Sequence, residues 1–438
     1  MNGNPVTALS NAPMHRLQVV VVGLCIALNA LDGFDVLAIS FAAPGISSDW
    51  GIDKATLGVV LSMELLGMAV GSALIGNIAD RIGRRPIILA CLSVMALGMF
   101  AAAMSTGVTT LSAARLFTGL GIGGMISTTS AMVAEFSNDR RRSLNVTLNI
   151  AGYATGAILG GLGASALLGG SGDWRSVFLF GGFMSAVALP AAFLLLPESI
   201  ESLIARRPRG ALDQVNRTLA RLAREPLAVL PELIRAEKPS ITALFSRRFA
   251  MVTILLTTAY FAQIMLFYYM MKWIPKIVVD MGYDAAQAGR VLVAANVGNL
   301  LGALAIGLAT QRFNLRPLVI GSMITGFVGI GVFGLGYRDL TQMSLVAAIA
   351  AFFINAGVVG MYPILARTYP ASLRASGIGF VIGVGRGGSA VGPVVAGALF
   401  ASGGGLLLVS LVAGTGALVA ATMLLLLPWA ERRSVVAR

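Results

Sequence analysis

Hydrophobic positions in this chain do not alternate with polar ones at the period of a strand, nor mark one stripe of a helix. They come as long unbroken runs bounded by charge, Gly or Pro, at 17–42, 55–78, 87–105, 109–135, 144–168, 175–196, 249–272, 285–310, 317–336, 341–366, 375–401 and 404–427. A run of ~20 mostly apolar residues is the length of helix that crosses a bilayer's hydrocarbon core. The pattern therefore predicts an all-α membrane protein with twelve transmembrane helices. The one long polar segment, 197–248, holds ten Lys or Arg residues and an amphipathic piece around Leu212 to Leu222. It divides the chain into an N-terminal six-helix bundle at 1–196, a central cytoplasmic loop at 197–248 and a C-terminal bundle at 249–438.

Composition agrees. The chain is 57% hydrophobic and 12% charged, with a mean hydropathy of +0.84, whereas soluble domains carry about a quarter charged residues. Charge then sets orientation, because basic loops stay in the cytoplasm. With the N-terminus inside, 24 of the 32 Lys and Arg residues fall on the cytoplasmic side. They include Arg16, Arg81, Arg84, Arg85, Arg140 to Arg142, Arg312, Arg316, Arg367 and Arg374. Both termini are expected in the cytoplasm, and the chain in a bacterial cytoplasmic (inner) membrane. This bias accounts for the net charge of +13 without a nucleic-acid partner. The other eight, Lys54, Arg115, Arg175, Lys272, Lys276, Arg290, Arg338 and Arg386, are spread over outer loops, outer helix ends and the bilayer.

Nothing suggests a metal or cofactor. Cys25 and Cys91 lie in apolar runs without paired spacing, and His15 is the sole histidine. The glycine runs at 119–124 and 156–163 follow no strand and lack the lysine of a phosphate loop, so they read as small residues for close helix packing. The run after Arg16 is longer than a signal-peptide core and has no clear cleavage site, which makes it an uncleaved first span.

The two halves repeat. Gly76-Asn-Ile-Ala-Asp80-Arg81-Ile-Gly83-Arg84-Arg85-Pro86 aligns at an offset of 231 with Gly307-Leu-Ala-Thr-Gln311-Arg312-Phe-Asn314-Leu-Arg316-Pro317. Gly, Arg, Arg and Pro match in register. Parallel six-helix repeats with a midplane site between them are the architecture of major facilitator transporters. The chain resembles that superfamily over nearly its whole length, and Gly76 to Arg85 matches its G-x-x-x-D-R-x-G-R-R loop. The resemblance implies that Gly76, Asp80, Arg81, Gly83, Arg84 and Arg85 form a latch on the cytoplasmic face that holds the outward-open state. It also implies that Glu135, Arg142 and Glu198 pair with that loop, and that Arg374, with Arg367, does the same in the second half.

The first span contains Asp32-Gly33-Phe34-Asp35, two carboxylates at i and i+3 and so on one helix face. A charge at membrane depth costs at least ~2.5–3.5 kcal/mol, so each should face a partner or a wet cavity; taking up a proton removes the charge. A helix-end cap in the outer headgroup region is the competing reading. This D-G-F-D ahead of the Gly76 loop is similar to the aromatic acid:proton symporter family. The resemblance makes Asp32, Asp35, Arg115, Glu135, Arg374 and Arg386 the functionally sensitive residues. At ~1.5 Å of rise per residue, Asp35 lies roughly 10 Å from the outer end of its span and Arg115 at a comparable depth in the fourth. An Asp35–Arg115 pair, or one shared with Asp32, is expected to carry proton coupling, unless Arg115 merely snorkels.

Arg386, in Gly383-Val-Gly385-Arg386-Gly387-Gly388 near the midplane, needs an anion. A planar guanidinium fits a carboxylate bidentately, which makes Arg386 a substrate clamp or, alternatively, a structural pairing across helices. Gln263 stands where the repeat puts the counterpart of Asp32, which suggests that the first half carries protons while the second recognises substrate by neutral hydrogen bonds, with Gln263 a substrate-binding candidate. Tyr153, Tyr260, Phe267 and Tyr268 are candidate aromatic walls, and Asn296, Asn299 and Asn355 candidate polar contacts. Tyr269 and Trp273 read as interfacial-belt residues. The expected function is proton-coupled import of a small organic anion, most simply an aromatic carboxylate of the benzoate or hydroxybenzoate kind, by a monomer in the lipid bilayer. A proton symporter for a non-aromatic or sugar acid would use the same charges. A drug:proton antiporter would not want Arg386 at its site, and a channel or an intramembrane enzyme fits the repeat and the residue inventory less well.

Overall fold

In the computed structural model the described residues are 12–231, 241–370 and 373–436. Part of the basic central loop, at 232–240, lies outside them, as do two residues just before Arg374. Among the described residues, twelve helices are long and apolar enough to cross a membrane. We label them α1 (Arg16–Trp50), α2 (Lys54–Ile82), α3 (Arg84–Ala103), α4 (Val108–Glu135), α5 (Asp139–Ser171), α6 (Arg175–Leu195), α7 (Ala250–Asp280), α8 (Ala285–Ala309), α9 (Leu315–Gly334), α10 (Leu340–Thr368), α11 (Arg374–Gly385 with Gly387–Ala401) and α12 (Leu406–Val436). Short helices Ile200–Arg206 and Ala211–Arg221 follow α6. Their apolar faces, with Leu203, Ile204, Val215 and Leu219, pack together against Leu17 at the start of α1.

Local signals explain where the helices start and stop. Asp53 caps α2 by accepting from the Thr56 amide at 3.0 Å, and those bonds hold its carboxyl below the usual carboxylate range. Asp284 and Gln287 form a reciprocal capping box at α8. The sole histidine does the same at α1, where His15 accepts from the Leu17 amide and Gln18 reaches back. Gly51 and Gly172 end α1 and α5 in the left-handed conformation.

Several helices outrun their hydrophobic spans, and this changes the depth of the charges they carry. The seventh run ends at 272, but α7 continues through Trp273-Ile-Pro-Lys-Ile to Asp280. Lys272 is therefore wholly buried instead of at a helix end. Tyr269 and Trp273 are buried with it, not spread along an interfacial belt. The Tyr269 hydroxyl pairs with Ser410 at 2.8 Å, and the Trp273 indole donates to the Pro393 carbonyl at 3.1 Å.

Glycine seams bring the helices together within each bundle. A Cβ on Gly67 or Gly71 of α2 would run into the backbone of α4 at Leu116 and Leu120, and one on Gly119 or Gly123 into α2 at Glu64 and Met68. The same seam recurs at the repeat offset of 231. Gly298 and Gly302 of α8 lie against the Ala348 and Phe352 backbone of α10. The glycine run of the fifth span packs likewise, with Gly152 and Gly156 of α5 on the carbonyls of Ile26 and Ala30 in α1.

The two bundles meet through α2 with α11, α5 with α8, and α1 with α7. Their close approaches lie in the half of the molecule away from the chain termini, which we call the far side. There Gly58 touches Pro393 and Gly397, and Gly289 faces Ser165 and Phe41. Lys54 of α2 pairs with Asp280 of α7 at 2.8 Å. The far side is thus the shut side of the molecule.

Gly156→Val should be strongly destabilising, because its side chain has only the Ala30 carbonyl to occupy; overpacking of this kind costs about 1–3 kcal/mol. Thermal unfolding of the purified protein in detergent should show a clear drop in midpoint. Gly107→Ala, where nothing lies within 4 Å of the added carbon, should leave it unchanged.

Candidate functional site

The deepest charges lie where α1, α2, α4 and α7 converge. Glu64 of α2 sits between two cations. Arg115 Nη2 of α4 is 2.6 Å from Oε1, and Lys272 Nζ of α7 is 3.2 Å from Oε2. All three side chains have no exposed area. The arginine also donates to the Asp35 main-chain carbonyl at 2.8 Å and to the Met99 sulfur at 2.8 Å, and its guanidinium lies 5.3 Å from the Phe178 ring centre. The lysine donates to the Val36 carbonyl. Both cations thus grip consecutive carbonyls of α1.

This differs from the expected Asp35–Arg115 pair. The Arg115 guanidinium takes the Glu64 carboxylate and only the main chain of residue 35. The Asp32 and Asp35 carboxylates are fully buried, and none of their four oxygens has a hydrogen-bond partner. Asp35 points towards α6, where a Cβ on Gly181 would come within 2.8 Å of Oδ1, and Asp32 is within electrostatic reach of Cys91 on α3. Neither is a helix-end cap; both lie near the middle of α1. An ionised carboxylate without hydrogen bonds is expensive to bury, so these are positions that a proton relieves.

Arg386 lies at a break in α11, between Gly385 and Gly387, and its main-chain carbonyl accepts from the Ser389 amide and hydroxyl at 2.9 and 2.6 Å. No carboxylate pairs with it among the described residues. Its electrostatic neighbours are the phenols of Tyr260, Tyr362, Tyr268 and Tyr153. Tyr260 and Tyr362 pair through their hydroxyls at 3.2 Å, and Tyr153 of α5 meets Tyr268 of α7 across the two bundles. Phe267 packs edge-on against Tyr268, with ring centres 5.2 Å apart. The structure therefore brings Arg386, Tyr153, Tyr260 and Tyr268 together as expected, and adds Tyr362, which sequence reasoning missed. Tyr153 and Tyr268 are also within reach of Glu64, so the ion cluster borders the aromatic chamber.

Other candidates serve the second bundle's own packing. Gln263 donates to the Ile354 carbonyl of α10 at 2.9 Å and lies against Gly357. Asn299 donates to the Met271 sulfur at 3.1 Å, Asn355 to the Asn299 carbonyl at 2.7 Å, and Asn296 to the Leu292 carbonyl at 2.9 Å. None of these bonds reaches Arg386.

On the side of the termini, Gly83 turns with φ +121°, and the Glu198 carboxylate comes up to accept the Arg84 and Arg85 amides at 2.8 and 3.3 Å. It thereby caps α3. Arg84 joins Asp80 at 3.0 Å to Glu135 at 3.3 Å. Arg142 reaches Asp139 at 3.3 Å and faces Glu201, whose carboxyl burial pushes up while Arg142 and Arg84 hold it down. Arg206, unremarked in the sequence, pairs with Glu198 at 3.7 Å and donates to the carbonyls of Arg81 and Ile82. Gly76 only faces Ser127 at ordinary contact distance. In the second half, Arg374 is exposed and meets no carboxylate among the described residues.

A family model described as Major Facilitator Superfamily matches residues 25–295 and 273–437. The chain is similar to a gallate transporter of Pseudomonas putida, 30% identical over 95% of this chain and 93% of the relative. It is also similar to the 4-hydroxybenzoate transporter PcaK of Pseudomonas aeruginosa, 32% identical over 88% of this chain and 87% of that one. Among solved structures, the inward-open xylose transporter XylE from E. coli shares the fold with a TM-score of 0.72 at 15% identity, over 93% of this chain and 96% of that one. The chain belongs to the major facilitator superfamily, whose members are transporters and not enzymes.

Removing the shared anion should hurt far more than breaking a surface pair. Glu64→Gln leaves two buried cations with no acid and should cost about 3–5 kcal/mol. Asp280→Asn breaks a half-exposed pair and should cost about 0–1 kcal/mol. Thermal unfolding midpoints of the two variants in detergent test the ordering; equal midpoints would contradict it.

Proposed function

We propose that this member of the major facilitator superfamily imports an aromatic carboxylate together with protons, across a bacterial cytoplasmic membrane. The observation that carries the reading is Arg386: a guanidinium near the middle of α11, without an acid partner among the described residues, ringed by Tyr153, Tyr260, Tyr268 and Tyr362. A charge at that depth calls for a counter-ion, and the planar fork matches a carboxylate bidentately. The phenols give such an anion aromatic walls on both bundles. Relatives named for gallate and 4-hydroxybenzoate support a benzoate-like ring, as against an aliphatic or sugar acid.

Asp32 and Asp35 are the proton sites. Their carboxylates have no hydrogen-bond partners, so each proton bound or released changes the electrostatics of α1 beside Arg115. With the basic loops and both termini in the cytoplasm, the far side is the outer side, and the structure is shut towards the outside. The domain borders at 196 and 249 put the central loop on the inner face as a tie between the bundles. There Asp80, Arg84, Glu135 and Glu198 are bonded to one another's segments within the first bundle, with Arg206 of the linker joined to them, and it is in the outward-open state that they act as the latch. The chain works as a monomer.

Purified protein in proteoliposomes should accumulate hydroxybenzoate under an imposed inward proton gradient and lose that accumulation when the gradient is collapsed. Arg386→Lys keeps the charge but loses the fork, and should raise KM at least about tenfold. Asp35→Asn should abolish gradient-driven accumulation while substrate exchange across the membrane continues. Uptake that ignores the proton gradient would remove symport from this reading, and an unchanged KM in the lysine variant would remove the clamp.

A further inference from the structure

The Lys272–Glu64 contact joins the two bundles through the interior. Lys272 belongs to α7 in the second bundle and Glu64 to α2 in the first, and neither side chain has exposed area. We propose that this ion pair is the lock of the outer gate. It rests on the alternating-access part of the proposed function and not on the identity of the substrate.

Three observations carry it. The pair lies beneath the layer where the bundles touch on the far side, at Gly58 with Gly397 and at Lys54 with Asp280. Any opening of that side must draw Lys272 away from Glu64. Second, the two partners are left in different situations when they part. Glu64 keeps Arg115, 2.6 Å away in its own bundle, so the first bundle is not left with an orphaned acid. Lys272 has no other ion-pair partner among the described residues and needs water, which only an open outer vestibule supplies. Third, a buried Lys–Glu pair is suited to a switch. Its attraction is largely offset by desolvation, so separating the ions into water costs little, whereas closing the gate without the Glu64 carboxylate would bury Lys272 unpaired beside Arg115. The lock therefore selects the closed register without making it irreversible.

The same cluster ties the lock to the proton segment. Arg115 and Lys272 donate to the carbonyls of Asp35 and Val36, so the lysine on one bundle and the arginine on the other hold two successive peptide units of α1. The groups facing Glu64 are Arg115, Lys272 and, at longer range, Asp35, Tyr153 and Tyr268. Lys272 acts as a positioning residue: it touches neither the clamp nor the carboxylates directly.

The test uses the full chain with Cys25 and Cys91 changed to Ala and one reporter, Ser62→Cys. Ser62 is 2% exposed and one helical turn below Gly58 on α2, so a membrane-impermeant maleimide added to intact cells should reach it only when the outer side opens. Lys272→Met, which leaves Glu64 paired with Arg115, should raise the labelling rate about tenfold, and Lys272→Arg should restore slow labelling. In uptake assays Lys272→Met should lower both KM and kcat, whereas a merely damaged protein would lose kcat or abundance at constant KM. Unchanged labelling in Lys272→Met, or equally fast labelling in Lys272→Arg, would overturn the lock. The labelling needs neither substrate nor proton gradient, so it can fail while transport of an aromatic acid stands, and can succeed if that reading falls.

Discussion

Glu64 held between Arg115 and Lys272 is the interaction on which the rest of the site depends. In hydrocarbon there is no solvent to share the burden of a charge, so each ion must be satisfied by the protein. One carboxylate serving two cations leaves a positive excess, and the structure absorbs it with two α1 carbonyls, the Met99 sulfur and the face of Phe178. Four helices are thereby fixed around one side chain. The acids of α1 are turned away from this cluster towards α3 and α6, while its far edge borders the phenols of Tyr153 and Tyr268. The α1 carboxylates, the ion pair between the bundles and the phenols are neighbours because Glu64 is gripped from α4 and α7 beside α1 and lies within reach of Tyr153 on α5 and Tyr268 on α7.

The repeat supplies a symmetric scaffold and the charges break it. Gly67 and Gly71 have exact counterparts in Gly298 and Gly302, packed in the same way on a partner helix. At the same offset of 231, however, Asp32 becomes Gln263, Glu64 becomes Ala295 and Arg115 becomes Val346. The inner face is just as unequal. Asp80, Glu135 and Glu198 clamp the arginines of the first bundle, but the acids after residue 248 are Asp280, Asp284, Asp339 and Glu431, and the first three lie at the far-side ends of their helices. Among the described residues Arg374 meets no acid that would repeat those pairs. Backbone packing can be duplicated because glycine seams need only shape; the deep charges are not duplicated, since the acids Asp32, Asp35 and Glu64 lie in the first half and the second contributes the cations Lys272 and Arg386.

How much of this could be read from the sequence follows from what each feature needs. Twelve spans and their division are set by length and hydropathy, which are one-dimensional. The latch is local too, since Asp80 and Arg84 are a helical turn apart and Glu135 and Glu198 close helices on the same face. Glu64 carries no motif, being a single acid in an apolar run, although its cost at that depth is signal enough to ask for a partner. The depth of Lys272 is hidden for a specific reason: the apolar run stops there, yet the helix continues to Asp280, so the residue lies eight positions inside it. The same extension buries Tyr269 and Trp273. The Asp35–Arg115 pairing failed on rotation about the helix axis, which matched depths do not determine, and Gln263 turned into its own bundle for the same cause.

Each buried cation can then be asked where its counter-charge lies. Arg115 and Lys272 share Glu64, and Arg115 is also within electrostatic reach of Asp35. Arg386 has phenols only, at a helix break where two glycines, Gly385 and Gly388, press on Tyr260 and Phe261. Arg115 and Lys272 have no exposed area and are matched by an acid, whereas Arg386 is only half-buried and faces phenols. In the proposed function an anion from outside the chain supplies that counter-charge, and the phenols give an aromatic one its walls. Compensation by Glu64 thus sets Arg115 and Lys272 apart from Arg386, which has no acid partner among the described residues and is, on that proposal, where the cargo binds.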